Sequence, residues 1–162
     1  MKHQLMPSAV PAWMRDSQVQ PLGPTLFARI RLRGAHVNIA VWIASGLLAA
    51  AYLFVGGTKL LTSKERLAEN PSMAGAAEAL SATSIKLIGG VEVAGALGLI
   101  LPWLTGIAPI LTPAAAVGLA LLQVGAAVFH GRRAEYKQWP VNAVFLALAV
   151  FIAAARTAEV VR

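Results

Sequence analysis

Glu92, Lys59, Tyr52, Gln123 and His130 are the side chains of this sequence best equipped for chemistry, and each lies in or at the end of a long apolar run. A carboxylate, an ammonium, a phenol, an amide and an imidazole can together hold a proton, pass it on, or hydrogen-bond the polar head of a small apolar molecule. Glu92 makes the strongest demand. A carboxylate at bilayer depth is costly unless it is paired or protonated, so it must face a partner or a polar cavity. Lys86 sits about 120° away round a helix and is a poor partner. Lys59, Tyr52, Gln123 and His130 are better ones. Two readings stay open for Glu92: hydrogen-bonding glue for a helix bundle, or a ligand-binding or proton-handling group. His130 taken alone also reads as an interfacial histidine beside Arg132 and Arg133, and Tyr52 as a packing residue.

Helical spacing brings these residues to one end of a bundle. Ser45, Ala49, Tyr52, Gly56 and Lys59 fall on one helical stripe, and Ala116, Ala120, Gln123, Ala127 and His130 on another. Small residues punctuated by polar ones are the composition of a helix interface in lipid, so both stripes are expected to face the bundle axis. Counted along the helices, Tyr52, Glu92 and Gln123 lie about 10 to 13 Å below one membrane surface. Lys59, Lys86, His130 and Asn142 lie within about one turn of it. Asn38, Ser45 and Thr112 are nearly all the polarity in the opposite half, where Arg156 is expected to snorkel outward.

Other chemistries are excluded by what the chain lacks. Without a cysteine there is no disulfide exchange, thiolate nucleophile, iron–sulfur cluster or thiolate zinc site. No metal-ligand cluster, nucleotide-binding glycine fingerprint or catalytic triad is present, so no metal is expected. His36 and His130 fall at opposite membrane faces, which rules out two-histidine haem ligation within one chain.

The elements that must position these side chains are read from the apolar runs. Of 162 residues, 57% are hydrophobic and only 13% charged. A soluble domain has about 25% charged residues, so the lipid bilayer is the expected surroundings. The net charge of +7 comes from basic residues set between apolar runs. It therefore reads as charge flanking membrane spans, with no nucleic-acid partner expected.

Val37 to Thr58 is free of charge and measures about 33 Å as a helix, which matches a hydrocarbon core of about 30 Å. Val93 to Gly131 is also charge-free, but as one helix it would measure about 58 Å and must fold back, with the turn expected at Pro102 to Gly106. Too little chain remains between Val93 and that turn to cross, so the second span must begin near Ser81 or Ile85 and carry Glu92 into the membrane. The expected architecture is an all-α, integral membrane four-helix bundle of two antiparallel hairpins, with spans at about 37–59, 82–101, 107–129 and 140–156. Pro109 and Pro113 then fall in the first two turns of span three. Ser63 to Glu69 reads as one or two turns of surface helix.

Residues 1–36, with Pro7, Pro11, Pro21 and Pro24, read as a basic, disordered tail without a signal-peptide core. Within it, Leu26 to Arg33 alternates apolar and basic residues, as a short strand, a membrane-surface segment or a basic flank would. Basic residues divide almost evenly between the two faces of a four-span chain, so their balance does not orient it. Gly90, Ala94 and Gly98 recur every four residues in span two. They are expected to form a close-packing face, within the bundle or between copies in a homo-oligomer.

Several segments together resemble the DoxX-like family: Val37-Asn38-Ile39-Ala40-Val41-Trp42-Ile43, Leu53-Phe54-Val55-Gly56-Gly57-Thr58-Lys59-Leu60, Lys86 through Glu92 to Pro102, and His130-Gly131-Arg132-Arg133. The resemblance covers about residues 37–155 and implies a small four-helix, multi-pass protein of the bacterial inner membrane. Members of this type start at the equivalent of Val37, so translation is expected to begin downstream of Met1, and the mass of the native chain checks this. The resemblance also implies an accessory role beside membrane oxidoreductase subunits, with quinone as the possible cofactor and no independent catalytic activity. On that reading Tyr52, Glu92, Gln123 and His130 hydrogen-bond a quinone carbonyl, with Glu92 handling the proton. An oligomeric transport or proton-conducting module and a purely structural membrane partner remain as alternatives.

Overall fold

The computed structural model describes residues 24–161, all helix and connections without a strand. The chain divides into two units, residues 1–36 and 37–162. Helix begins at Pro24, whose fixed φ suits a first helical turn, and no further proline falls before its end at Leu61. The part of the expected tail at residues 1–23 lies outside the described residues.

α1 (Pro24–Leu61) leads to two short helices, α2 (Lys64–Ala68) and α3 (Ala74–Ala79). Ser63 caps α2 by accepting from the Arg66 N–H. α4 (Ala82–Thr105) starts where the second span has to start, with the Ser81 hydroxyl accepting from the Ser84 N–H at 3.0 Å. α5 (Leu111–Arg132) and α6 (Trp139–Val160) follow, separated by a 3-10 turn at Tyr136–Gln138. α1, α4, α5 and α6 are long and apolar enough to cross a membrane.

Three boundaries differ from the sequence reading. Pro102 lies inside α4, and the reversal begins at Gly106, which takes the left-handed φ of +70°. Proline this close to a helix end forfeits one hydrogen bond, whereas leaving the helix in lipid would strand several. α5 starts only at Leu111, so Pro109 belongs to the connection and Pro113 to the first turn. α6 runs past Arg156 to Val160, about 33 Å, because Arg156 is buried and neutralised rather than turned outward.

Contacts fix the topology. Gly56 of α1 meets Glu92 and Val93 of α4, while Gly89, earlier on α4, meets Lys59 and Leu60, later on α1. Gly95 and Gly98 of α4 meet Leu119 and Ala115 of α5 in descending order. Asn38 and Tyr52 of α1 meet Arg156 and Phe145 of α6. Successive helices are therefore antiparallel, and α6 returns to α1, closing a four-helix ring. Leu48, Leu99, Leu119 and Ile152, one from each helix, fill its centre at no more than 1% exposure. The outer face is as apolar as the inner: Phe54, Leu87, Leu121 and Val144 are all exposed. Such a surface requires lipid, and the chain is an integral membrane protein that crosses the bilayer several times.

Within the bundle, the row of Gly90, Ala94 and Gly98 packs only at one end. A Cβ on Gly90 would meet nothing within 4 Å and Ala94 is exposed, so only Gly98 of that stripe packs inside the bundle, against Ala115. The inward row is Ile85, Gly89, Glu92, Ala96 and Leu99, about 100° round from Gly90. The backbones of α1 and α4 touch at Gly56 and Gly89, where a Cβ on either glycine would lie 2.8 Å from the other's carbonyl oxygen. Gly89→Ala is expected to lose about 1–3 kcal/mol of stability through this overpacking. Gly90→Ala is expected to lose none, a contrast that parallel unfolding titrations in detergent check.

Candidate functional site

A cavity of about 340 Å³ opens at the end of the bundle that carries the first and third connections. Tyr52 and Lys59 from α1, Glu92 from α4, Gln123 and His130 from α5, and Asn142 from α6 line it with polar groups, joined by Ser72 and Gln138 from the connections. The structure thus gathers all five side chains singled out in the sequence. Apolar walls come from Val55, Ile85, Val141 and Phe145, and a cap from Leu67 of α2, Met73 and Ala77 of α3. Leu67, Ala77 and Ile85 form a small apolar cluster of their own, which seats the cap on the start of α4.

Tyr52, Lys59, Glu92, Gln123 and Asn142 are each held by a neighbour on another helix. Lys59 Nζ donates to Glu92 Oε1 at 2.5 Å, a short charge-assisted bond that makes the pair neutral overall. Lys86, as expected, takes no part; its ammonium donates to the Leu60 carbonyl. The Tyr52 hydroxyl donates to Gln123 Oε1 at 3.1 Å, and Gln123 Nε2 donates to Asn142 Oδ1 at 3.0 Å, linking three helices. Phe145 meets the Tyr52 ring edge-on, with centroids 5.4 Å apart. Two atoms remain: Glu92 Oε2 and Asn142 Nδ2 are buried and hydrogen-bond to no described residue.

The mouth carries a separate ionic network. His130 Nδ1 lies 2.7 Å from Glu135 Oε2, and Arg133 bridges Glu135 (2.7 Å) and Glu78 of α3 (2.6 Å). A methyl group on Gly75 would run into the Glu135 carboxylate, so α3 rests directly on it. Hydrogen bonds from Arg133, and next from His130, hold the Glu135 carboxyl below the usual carboxylate range. A lowered folded-state value means that Glu135 stabilises this tie fully above about pH 4.3 and ceases to as the pH falls through its lowered value. Acidification is therefore expected to raise hydrogen exchange in residues 74–80 of wild type. In Glu135→Gln that exchange is already raised at neutral pH and responds less to acid.

Asn142, noted in the sequence only for its depth, proves to be part of the cavity. The available signal was an amide in an otherwise uncharged span, level with His130. Glu78 and Glu135 gave no such signal, because acids in polar connections are ordinary. Among the described residues no cluster of three or more histidine or carboxylate side chains is placed to hold a metal ion.

A second polar group lies at the opposite end. Arg156, only 1% exposed, sits 4.2 Å from the Trp103 ring centroid and 5.2 Å from that of Trp42. Its Nη1 donates to Asn38 Oδ1 at 3.2 Å and Glu159 Oε2 at 2.5 Å. Leu48, Leu99, Leu119 and Ile152 separate this group from the cavity in all four helices.

No curated protein and no solved structure matches the chain. The DoxX-like family model matches residues 43–152, a stretch that holds all five singled-out site residues in the first three spans and Asn142 in the fourth. On that match over most of its length, this four-span membrane protein belongs to the DoxX-like family.

Proposed function

We propose that this protein binds a small, largely apolar molecule by its polar head in the cavity around Glu92. It does so as an accessory subunit of a quinone-linked redox or detoxification complex in a bacterial inner membrane. The observation that carries the reading is the cavity itself: polar groups from four helices converge on one apolar-walled space large enough for a ligand, which is generally about 300 Å³ or more. Tyr52, Lys59, Glu92, Gln123 and His130 are the ligand-binding or proton-handling groups. The apolar plug formed by Leu48, Leu99, Leu119 and Ile152 favours binding over conduction, since a proton path along the bundle would need polar groups where these lie. Membrane oxidoreductase subunits or a second copy of the chain are the partners this role calls for, and Gly90 and Ala94 leave small residues on the outer face for them.

The test is a titration of the purified protein in nanodiscs with a short-chain quinone and its quinol. Saturation at about 100 times Kd adds about 2.7 kcal/mol to folded-state stability, which a thermal shift detects readily. Neither form raising the unfolding temperature, nor altering tryptophan fluorescence, would sink the proposal.

A further inference from the structure

Glu92 Oε2 and Asn142 Nδ2 define what the cavity lacks. Tyr52 spends its proton on Gln123, and Gln123 uses its oxygen on Tyr52 and an N–H on Asn142. Lys59 engages the other Glu92 oxygen. Among the fully buried side-chain atoms of the lining residues, one acceptor and one donor make no hydrogen bond, on residues that are 5% and 8% exposed and border the same space. Buried polar groups of this kind are nearly always matched by a partner.

We propose that the ligand is a neutral, hydroxyl-bearing ring compound of the phenol or hydroquinone class, bound in preference to its carbonyl or O-alkylated counterpart. This rests on the cavity-binding reading above and narrows it. A hydroxyl donates one hydrogen bond and accepts others, so it answers both Glu92 Oε2 and Asn142 Nδ2. A carbonyl or an ether only accepts, and leaves the Glu92 oxygen bare in an apolar surround. Neutrality follows from the Lys59–Glu92 pair, which cancels its own charge at 2.5 Å and offers no net charge to balance an ion. A ring follows from the walls: Phe145 and Tyr52 present aromatic surface, and the space of about 340 Å³ suits a compact head rather than a long chain. In a quinone-linked complex the chain would thus hold the reduced form.

The deciding experiment compares 4-propylphenol with its methyl ether, 4-propylanisole, on the full-length protein in nanodiscs, with both concentrations corrected for partition into the bilayer. The phenol is expected to bind at least about tenfold more tightly, since a site built around a hydroxyl rejects analogues lacking it by large factors. In the double variant Lys59→Met with Glu92→Leu the preference is expected to vanish. Should that variant not fold, the wild-type ratio decides alone. Equal affinity of the two compounds overturns the inference but leaves cavity binding standing. No binding of either overturns both, and a preference that survives the double variant overturns the assignment to this cavity.

Discussion

Replacing Glu92 by leucine is expected to cost about 3 kcal/mol of stability, the lower end of the range for breaking a buried ion pair. The cost comes from the partner left behind. Lys59 has its side chain 17% exposed and its ammonium bonded to Glu92. Without the carboxylate, that charge either stays uncompensated or swings toward the nearby surface and abandons its packing. Partial escape of this kind is why the lower figure is expected. Adding Lys59→Met to Glu92→Leu is expected to recover most of the loss, because an apolar pair of similar volume has no desolvation debt. Unfolding titrations of the wild type, the two single variants and the double variant form the cycle that measures this. If Glu92→Leu alone were neutral, the carboxylate would have to be in contact with water, and the site as described would fail.

Placing Glu92 inside the membrane needed only arithmetic on the sequence. The charge-free run after it is too long for one crossing, and its part before the turn too short, so the helix had to reach back past Glu92 and start near Ser81. The Ser81 cap of α4 lies where that reasoning puts it. The convergence of Tyr52, Lys59, Gln123 and His130 was legible for a related reason: heptad spacing fixes a helical face, and depth follows from the rise per residue.

Choosing among faces was harder. In lipid both sides of a span are apolar, so small residues do not reveal which face they serve; Gly89 and Gly90 look alike in sequence, yet one touches Gly56 and the other is open. Prolines misled in the same way. Pro102 reads as a helix end in water, where freed carbonyls find solvent, whereas in a bilayer the helix carries on to a glycine that can take φ of +70°. The cap of α2 and α3 was legible only as a short surface helix, because its seating depends on Leu67, Ala77 and Ile85 meeting across a turn.

Arg156 is the clearest case of a residue whose surroundings overrule its type, and its replacement is expected to have the largest effect on stability away from the cavity. Arg156→Met should cost about 3–5 kcal/mol. The guanidinium is enclosed between Trp42 of α1 and Trp103 of α4, and bonds Asn38 and Glu159, so it joins three of the four helices. Arg156→Lys keeps the charge but loses the planar stacking and the forked donors. It is expected to cost less, about 1–2 kcal/mol, close to a desolvated cation–π contact. A pure charge role would make lysine nearly silent, and a pure packing role would make methionine the milder change, so the order of the two variants separates these accounts. Because the apolar plug lies between, both variants should keep wild-type affinity for 4-propylphenol once folded, measured well below their unfolding temperatures. A loss of that affinity without loss of fold would mean that the two ends of the bundle are coupled through the helices.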